Sequence, residues 1–509
     1  MIAKINEILD TAKSKSLTYE QKHHALANIA ERLVDPIEVL SYTEEEVASI
    51  EDGFICDLNE GNTPYRPRYI VPDYSIFTKN GCQFLDMKAP ENLDELLDGL
   101  LILYHNVPSV TSYPVFIGEL DQLIDPFIKN EEEDYIKIKR FLNHIDKTIP
   151  DSFCHGNIGP KATKAGELIL KAVIELQNPT PNMTIKYEKD ATDREFAKLA
   201  AKACLLAAKP SFSNNQYYIQ DVGEHGLASC YNALPMAGGA YTLVRLRLGT
   251  IAKACQTKEA FFDVELKKYT QFMLSIMDKR IKFMAEESNF FETSFLAKEG
   301  FIKKENFTAM PAIVGLADAV NHLLALEGKD ERFGSSEYGD ELAHQILTYM
   351  EAEVKNHVAP YCERTGNRYL FHAQVGASIL ECDKENTPAH RITVGDEPIL
   401  PLHLTQSAQF HKYFPSGTGD LFAFDQTYLN NLDAVLDIVD GAFSKGYRYI
   451  TTYLQNSDLI RVTGYLAKRS EVEKARREEV VLRNTEMLGM GTDDNAKVFS
   501  RRTRDSYGK

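Results

Sequence analysis

The sequence has no long apolar run, no closely spaced pair of cysteines and no excess of positive charge. Because a membrane span needs roughly 18 consecutive apolar residues, we expect no membrane helix. The N-terminal segment mixes charged and apolar side chains and lacks the uninterrupted apolar core of a signal peptide. These absences predict a cytoplasmic protein with no membrane partner.

Positive charge is scarce relative to negative charge. The 509 residues include 57 Lys and Arg against 74 Asp and Glu, a formal net charge of -17. Such a surface repels polyphosphate, so we expect no nucleic-acid partner. Hydrophobic residues form 44% of the chain and charged residues 26%, the ordinary balance of a soluble globular protein with a sizeable core. The length alone allows one very large domain or several smaller ones.

The cysteines lack the spacing of a disulfide-rich module or of a metal site. No Cys-x-x-Cys pair occurs, and no four-cysteine set resembles a zinc ribbon. We therefore predict reduced thiols that are mostly buried in the core, and no metal site. The eight cysteines are Cys56, Cys82, Cys154, Cys204, Cys230, Cys255, Cys362 and Cys382.

Apolar periodicity predicts many helices and a few strands. Strand patterns cover residues 216–221, 447–453 and 459–463. The first 210 residues are predicted to be mainly helical, and the alternation of strands and helices after them favours an α/β fold. The predicted helices cover residues 17–33, 92–104, 136–144, 161–177, 192–208, 259–284, 312–325, 338–356, 429–443 and 470–483.

Two loops carry the candidate chemistry. Cys230 lies in the glycine-rich segment 223–239, shortly after a predicted strand. Gly464 lies between a predicted strand and a helix for which Ser470 and Glu473 form a capping-box pattern. Only glycine lacks a Cβ, so a glycine Cα that loses a hydrogen atom can hold a planar radical delocalised over its flanking amides.

The segment Arg461-Val462-Thr463-Gly464-Tyr465 resembles the glycyl-radical signature of the pyruvate formate-lyase superfamily. With Ser229-Cys230-Tyr231-Asn232 and the chain length, it is most similar to the YjjI family of glycyl radical enzymes. The resemblance implies one domain over residues 1–509: an α/β barrel of about ten strands, in two five-stranded halves wrapped by helices. Along the chain we expect three parts: a mainly helical part (1–210), a barrel part with the Cys230 finger loop (211–445) and a glycyl radical segment (446–509).

The resemblance also implies the chemistry. A separate radical S-adenosylmethionine activase installs the radical on Gly464, and Gly464 generates a thiyl on Cys230 that abstracts hydrogen from a small polar metabolite. The thiol should therefore stay neutral in an enclosed pocket. The chain lacks the Cys-x-x-x-Cys-x-x-Cys motif of such activases, so we expect it neither to make its own radical nor to hold a permanent cofactor. By analogy we expect a homodimer.

Two departures from the superfamily patterns bear on the reaction. Glycyl radical dehydratases commonly have Cys-x-Glu, whose glutamate is a general base, whereas Asn232 is an amide that can only orient a substrate. Pyruvate formate-lyase has two adjacent cysteines, whereas here Ser229 precedes Cys230. The first hypothesis is a lyase or dehydratase. The alternatives are an acyltransferase of the pyruvate formate-lyase (formate C-acetyltransferase) type and a non-catalytic radical spare part or scaffold.

Other polar residues are candidates for acid–base or substrate-binding roles. Glu224 and His225 directly precede the Cys230 loop, where a solvated pair is an equal alternative. His403 is a further candidate, with a core or surface histidine as the alternative. Cys154, beside a histidine, could approach the site. Residues 484–509 are either an ordered tail over the body or a loose end.

Overall fold

The computed structural model describes residues 2–108, 113–374 and 387–505. It shows an α/β fold in which two main sheets and two hairpins are surrounded by helices. The strands are β1 (Ile55–Cys56), β2 (Tyr69–Val71), β3 (His155–Ile158), β4 (Asn182–Tyr187), β5 (Ser211–Asn214), β6 (His225–Ala228), β7 (Asn232–Pro235), β8 (Gly238–Arg247), β9 (Phe307–Val314), β10 (His372–Ala373), β11 (Asp420–Phe424), β12 (Tyr449–Leu454), β13 (Leu459–Arg461), β14 (Leu466–Lys468) and β15 (Thr503–Arg504).

The helices cover much of the remaining chain. They are α1 (Ile2–Lys13), α2 (Tyr19–Glu31), α3 (Pro36–Leu40), α4 (Glu44–Glu51), α5 (Ser75–Asn80), α6 (Leu93–His105), α7 (Leu120–Ile124), α8 (Glu131–Thr148), α9 (Lys164–Leu176), α10 (Arg194–Ala207), α11 (Asn215–Val222), α12 (Leu248–Lys253), α13 (Lys258–Ala260), α14 (Leu266–Glu286), α15 (Phe290–Thr293), α16 (Phe295–Lys298), α17 (Leu316–Leu326), α18 (Glu337–Asn356), α19 (Leu400–His411), α20 (Leu432–Ser444), α21 (Arg469–Arg476) and α22 (Asn484–Ala496). A π-helical turn, Phe261–Glu265, joins α13 to α14.

The two sheets form the two halves of the fold. The first has five strands in the order β1-β8-β9-β10, with β2 also paired to β8. The second has six strands in the order β15-β11-β12-β5-β4-β3, parallel except between β12 and β5. In the described residues they are separate hydrogen-bonded ladders. The predicted α/β fold of two halves is confirmed, and the second half gains its sixth strand from the tail strand β15.

The sheets lie inside layers of helices. Every residue of β8 and β9 is buried, as expected for parallel strands covered on both faces. Helix α14 packs on β8, and α10 packs on β12 of the other sheet. Helix α9 buries residues such as Leu168 and Ala172, four positions apart, so its apolar stripe faces α8 and α10. The first 210 residues supply strands to both sheets as well as helices.

The main error of the sequence-based prediction lies before Cys230. Residues 216–221 are helical, within α11, so the predicted strand is wrong. The buried residues of α11, Asn215, Tyr218 and Val222, recur at helical spacing. The tyrosines and isoleucine there favour strands in general, and burial of one helical face outweighs that preference. Cys230 nevertheless follows a strand, because β6 lies between α11 and the cysteine.

The C-terminal region differs from the prediction in its helix start. Helix α21 begins at Arg469, and the Oγ of Ser470 donates to Asp458 at 2.8 Å, so the predicted capping box is wrong. Residues 484–505 are ordered over the body as α22 and β15, and residues 506–509 lie outside the described residues. In the middle of the chain, β9 continues to Val314, so the predicted helix over 312–325 starts too early.

Two composition-based expectations can be compared with the structure. Throughout the described segments, none of the helices combines the length and apolar character needed to cross a bilayer. The cysteines at positions 56, 82, 154, 204, 230, 255 and 362 are free and buried, which confirms the predicted core thiols there. Cys382 lies outside the described residues.

Candidate active site

The first loop is the Cys hairpin, which we define as β6, β7 and the tip Ser229-Cys230-Tyr231 between them. Its tip contacts both halves of the fold. The Tyr231 hydroxyl donates to the carbonyl of Ala373 in the five-stranded sheet at 3.1 Å, and the Tyr449 hydroxyl of the six-stranded sheet donates to the carbonyl of Cys230 at 3.1 Å. Ser229 adopts the left-handed conformation, with φ of 60°, at the point where the chain reverses. The thiol is therefore positioned between the sheets.

The second loop is the Gly hairpin, which we define as β13, β14 and the turn Val462-Thr463-Gly464-Tyr465. The N–H of Val462 donates to the carbonyl of Tyr465 at 3.0 Å and closes the turn. Gly464 is buried. The Arg501 guanidinium, from the tail, donates to the carbonyls of Arg461 at 2.8 Å and of Val462. The hairpin is thus fastened to the body in part by the tail.

The two hairpins meet at Cys230 and Gly464. A Cβ placed on Gly464 would lie 1.9 Å from the Cβ of Cys230 and 2.9 Å from its Sγ, an impossible overlap. With a C–C bond of about 1.5 Å, the Sγ therefore lies no further than about 4.4 Å from the Gly464 Cα. The φ of Gly464 lies outside the left-handed region, so close approach, and not backbone conformation, demands glycine here.

One amide side chain joins both hairpins. The Nδ2 of Asn182, at the start of β4, donates to the carbonyl of Gly464 at 2.9 Å and to that of Ser229 at 3.2 Å. Arg461 donates to the same Gly464 carbonyl at 3.0 Å and to the Oδ1 of Asn182 at 2.8 Å. The carbonyl beside the Gly464 Cα is therefore held by two donors, one of them charged. Sequence reasoning missed Asn182, whose only local signal is an amide that opens a buried strand.

The surroundings of Cys230 keep its thiol neutral. Cys230 is 2% exposed, and burial raises the pKa of the thiol. The Nδ2 of Asn232 donates to Sγ at 3.4 Å. Behind the tip, the Nδ1 of His155 donates to the carbonyl of Ser229 at 3.1 Å, and burial lowers the pKa of His155 to about 3, so this imidazole is also neutral. A neutral thiol suits hydrogen-atom transfer, for which a thiolate has no hydrogen to exchange.

The other sequence-predicted candidates are dispersed. His225 is buried at the start of the Cys hairpin; its Nδ1 donates to the carbonyl of Gly223 at 2.8 Å, and burial lowers its pKa to about 3. Glu224 is exposed and lines a surface groove of about 540 Å³, so of the pair only Glu224 is solvated and His225 is not. His403 is buried on α19, where its Nδ1 accepts from Arg504 at 2.6 Å, which matches the core alternative. Cys154 is buried directly before His155.

Two further polar residues near the tip were not predicted. The Cζ of Arg391 lies 6.0 Å from the ring centroid of Tyr231, and its Nε donates to the carbonyl of Gly419 at 2.8 Å. The ring of His372 lies 5.8 Å from that of Tyr231, and its pKa is lowered to about 3 by burial. His372 is a polar residue in a buried strand and directly follows the short run 368–371, which is a sequence signal. Arg391 has no periodic pattern around it.

A buried group of two histidines and an aspartate lies around the end of α19 and the start of β11. The ligand atoms of His390, His411 and Asp420 lie within 4.8 Å of one another. The Nδ1 of His411 accepts from the N–H of Arg448 at 3.1 Å, so its Nε2 carries the proton and donates to Asp420 at 3.2 Å. Ser407 also donates to Asp420. This pattern is a satisfied hydrogen-bond network, since a metal would need the lone pair that His411 Nε2 does not have.

Fold and site together define the class of protein. A glycine Cα that faces a neutral, buried thiol between two main sheets is the arrangement of a glycyl radical enzyme. Residues 17–504 match the family model described as "Glycyl radical enzyme YjjI-like". The chain belongs to this YjjI-like family of glycyl radical enzymes.

Curated relatives are similar over nearly their whole length. An uncharacterized protein of Haemophilus influenzae (strain ATCC 51907 / DSM 11121 / KW20 / Rd) is 64% identical over 506 residues, which cover 99% of this chain and 98% of the relative. The protein YjjI of Escherichia coli (strain K12) is 38% identical over 495 residues, covering 96% of this chain and 94% of YjjI.

Solved structures share the fold at low sequence identity. The anaerobic ribonucleotide reductase from Thermotoga maritima, with MES in its active site, has a TM-score of 0.73 at 10% identity, covering 93% of this chain and 94% of that one. The glycerol-bound B12-independent glycerol dehydratase from Clostridium butyricum has a TM-score of 0.67 at 12% identity, covering 98% and 88%. At these identities the likeness establishes the fold.

Proposed function

We propose that Gly464 stores the radical of this glycyl radical enzyme and that Cys230 is the thiol that forms the thiyl. The observation that supports this assignment most directly is the approach of the two residues, in which a Cβ on Gly464 would overlap the Cβ of Cys230. One Cα–H bond of Gly464 therefore points at the cysteine side chain. A hydrogen atom can pass between carbon and sulfur without a conformational change in either hairpin.

The bonds around Gly464 suit radical storage. An unpaired electron on the Cα is delocalised into the adjoining amide nitrogen and carbonyl, and the carbonyl oxygen gains electron density. Asn182 and Arg461 both donate to that oxygen, at 2.9 and 3.0 Å. Donors aimed at the atom that becomes more negative stabilise the radical relative to the closed-shell glycine.

The reaction we propose is a radical lyase or dehydratase reaction on a small polar metabolite. The Cys230 thiyl takes a hydrogen atom from a substrate carbon that bears a hydroxyl, the bond from the neighbouring carbon to its leaving group breaks, and the leaving group departs with the hydroxyl proton. The product radical then takes a hydrogen atom back from the thiol, so no oxidant or reductant is consumed. Acyl transfer of the pyruvate formate-lyase type would require a second thiol, and the chain neighbours of Cys230 are Ser229 and Tyr231.

An external activase is part of the proposal. Gly464 is buried, and Arg501 bonds the backbone at the start of the turn around it. The ring of Tyr465 in the same turn packs on that of Phe153, with centroids 5.0 Å apart. A radical S-adenosylmethionine activase can reach the Gly464 Cα only after the Gly hairpin moves out of the body. The homodimer stays a prediction of the resemblance.

Anaerobic activation followed by electron paramagnetic resonance tests the assignment. The chain is incubated with a radical S-adenosylmethionine activase, S-adenosylmethionine and a reductant. We expect a doublet, from one α-hydrogen, that persists in Cys230→Ser and is absent in Gly464→Ala. Two matched controls should keep it: Gly441→Ala, at a glycine with open space around its Cβ position, and Cys255→Ser, at another buried cysteine.

Exposure of the activated chain to oxygen provides a second readout. Cleavage at Gly464 should release the 45 residues that follow it, since the chain ends at residue 509. Mass spectrometry identifies that fragment. A doublet that survives in Gly464→Ala, or a cleavage site elsewhere in the chain, would contradict the assignment of the radical.

A further inference from the structure

Within the described residues, one buried cation near the Cys hairpin forms no ion pair. Arg391 is 7% exposed and its Nε donates to the carbonyl of Gly419, whereas its Nη1 and Nη2 have no hydrogen-bond partner in the described part of the chain. Burial lowers the pKa of this guanidinium, which reflects the cost of a charge without a partner. Two parallel unpaired N–H groups form the fork that binds a carboxylate in a bidentate manner.

The fork belongs to the surroundings of Cys230. The Cζ of Arg391 lies 6.0 Å from the ring centroid of Tyr231, and Tyr231 directly follows Cys230 in the chain. Its charge lowers the pKa of the Cys230 thiol, against the larger opposing effect of burial. Asp420, whose charge also acts on Arg391, is already bonded by Ser407 and His411 and forms no hydrogen bond with the guanidinium.

A second unpartnered atom lies beside the thiol. The Nδ2 of Asn232 is committed to the carbonyl of Ala228 at 2.9 Å and to the Cys230 Sγ at 3.4 Å. The Oδ1 of Asn232 is buried and has no hydrogen-bond partner among the residues that the structure describes. A buried amide oxygen without a donor costs free energy unless a ligand supplies one. This oxygen accepts only, so the ligand group that it fits is a hydroxyl or another donor.

We propose that Arg391 binds the carboxylate of the substrate and that the Asn232 Oδ1 accepts a hydrogen bond from a substrate hydroxyl, so that the substrate is a small hydroxycarboxylate. This proposal rests on the proposed function, because it takes Cys230 as the reacting thiol. Asn232 bonds Sγ with its amide nitrogen and the hydroxyl with its oxygen, which brings the hydroxyl-bearing carbon close to the sulfur. That carbon is the one from which the thiyl abstracts hydrogen.

The charge balance favours a carboxylate over a phosphate. The other guanidinium whose charge acts on the thiol, that of Arg461, is committed to Gly464, Asn182 and the Ala208 carbonyl. One free guanidinium balances one negative charge, whereas a phosphate near charge -2 would keep an uncompensated charge in a buried site. A neutral diol would leave the two Nη atoms of Arg391 unpaired.

Binding to the non-activated protein tests the proposal without any radical. Glycolate, L-lactate and 3-hydroxypropionate are titrated by calorimetry, each beside its neutral amide. We expect at least one acid to bind about tenfold or more tightly than its amide. Arg391→Gln should remove that preference, whereas Arg368→Gln, at an exposed arginine, should keep it. Asn232→Ala should reduce the preference for L-lactate over propionate, which lacks the hydroxyl.

The outcomes separate this proposal from the proposed function. Equal binding of acids and amides, no binding of any of the three acids, or a preference that survives in Arg391→Gln would each overturn the carboxylate site. If Arg391→Gln does not fold, Arg391→Lys replaces it, because lysine keeps the charge without the fork. Arg391→Lys should bind the acid about tenfold or more weakly than the unsubstituted protein does. The electron paramagnetic resonance doublet at Gly464 needs no substrate. The radical assignment can therefore fail while carboxylate binding holds, and carboxylate binding can fail while the radical assignment holds.

Discussion

The Cys hairpin and the Gly hairpin meet at one point and are held in different ways. The Cys hairpin is fixed by bonds to both sheets, including the Tyr231 and Tyr449 hydroxyls, and its tip borders unpaired polar atoms. The Gly hairpin is held by side chains such as Asn182 and Arg501, the latter from the C-terminal tail. Under the proposed function, the Cys hairpin is expected to be a permanent wall of the substrate site and the Gly hairpin a separable element.

The largest expected effect is that of Gly464→Ala. The added Cβ overlaps Cys230, so either the Gly hairpin or the Cys hairpin must shift. We expect complete loss of the radical and a loss of stability of about 1–3 kcal/mol or more, from overpacking. Urea unfolding measures this loss, with Gly441→Ala as the matched control.

A double variant sharpens that result. Cys230→Gly removes the Cβ and Sγ that the new methyl meets, so Gly464→Ala should cost less stability in a Cys230→Gly background. Equal costs in both backgrounds, or a cost no larger than that of Gly441→Ala, would show that the hairpins are not in contact.

Acid should destabilise the fold through three buried, neutral histidines. Burial lowers the pKa of His155, His225 and His372 to about 3 each. Below the unfolded-state pKa of about 6.5, the unfolded chain takes up protons that the folded chain cannot. The free energy of unfolding therefore falls as the pH falls towards 3. The expected loss is about 2 kcal/mol per imidazole at pH 5 relative to pH 7.

Urea unfolding at pH 7 and pH 5 checks the sign and size of this effect. His225→Gln should reduce the loss of stability between the two pH values, whereas His23→Gln, at an exposed histidine, should not. Stability that is unchanged or higher at pH 5 would contradict the burial of these imidazoles in their neutral form.

A smaller effect is expected when the Gly hairpin is loosened. Arg501→Ala removes the guanidinium bonds to the carbonyls of Arg461 and Val462. If the hairpin must leave the body for activation, Gly464 should be activated about tenfold faster, because bonds that hold the turn in place are lost. The growth of the doublet with time measures the rate.

Arg502→Ala is the matched control for this variant. The Arg502 guanidinium donates to the carbonyl of Glu397 at 3.4 Å, a residue outside the Gly hairpin, so its removal should not speed activation. Slower activation in Arg501→Ala, or equal acceleration in both variants, would mean that the tail does not restrain the Gly hairpin.

Local sequence patterns were sufficient to identify the two meeting residues but not their surroundings. The motif around Gly464 and the Ser-Cys-Tyr-Asn segment predicted the fold family, and the alternation of strands and helices predicted the α/β class. The strand predicted over 216–221 was wrong, because burial of one helical face outweighed the β-preference of its side chains. The short-range patterns of the tail did not predict that its last strand completes a sheet.

The partners of the site are distant in sequence, which explains why they were missed. Asn182 and Gly464 are 282 positions apart, and the bond between them depends on where β4 and the Gly hairpin are placed by the whole fold. Arg391 and His372 approach Tyr231 from separate segments in the same way. A polar residue in a buried strand is a signal that something binds it, but the partner can be found only in three dimensions.

The contact between the hairpins can be measured directly on the stored radical. In protein made with cysteine deuterated at Cβ, electron–nuclear double resonance on the glycyl radical reports nearby deuterons. The Cys230 Cβ lies no further than about 3.4 Å from the Gly464 Cα, so we expect a strong deuterium coupling that is lost in Cys230→Ser and kept in Cys255→Ser. A radical without that coupling, or a coupling that survives in Cys230→Ser, would contradict the account.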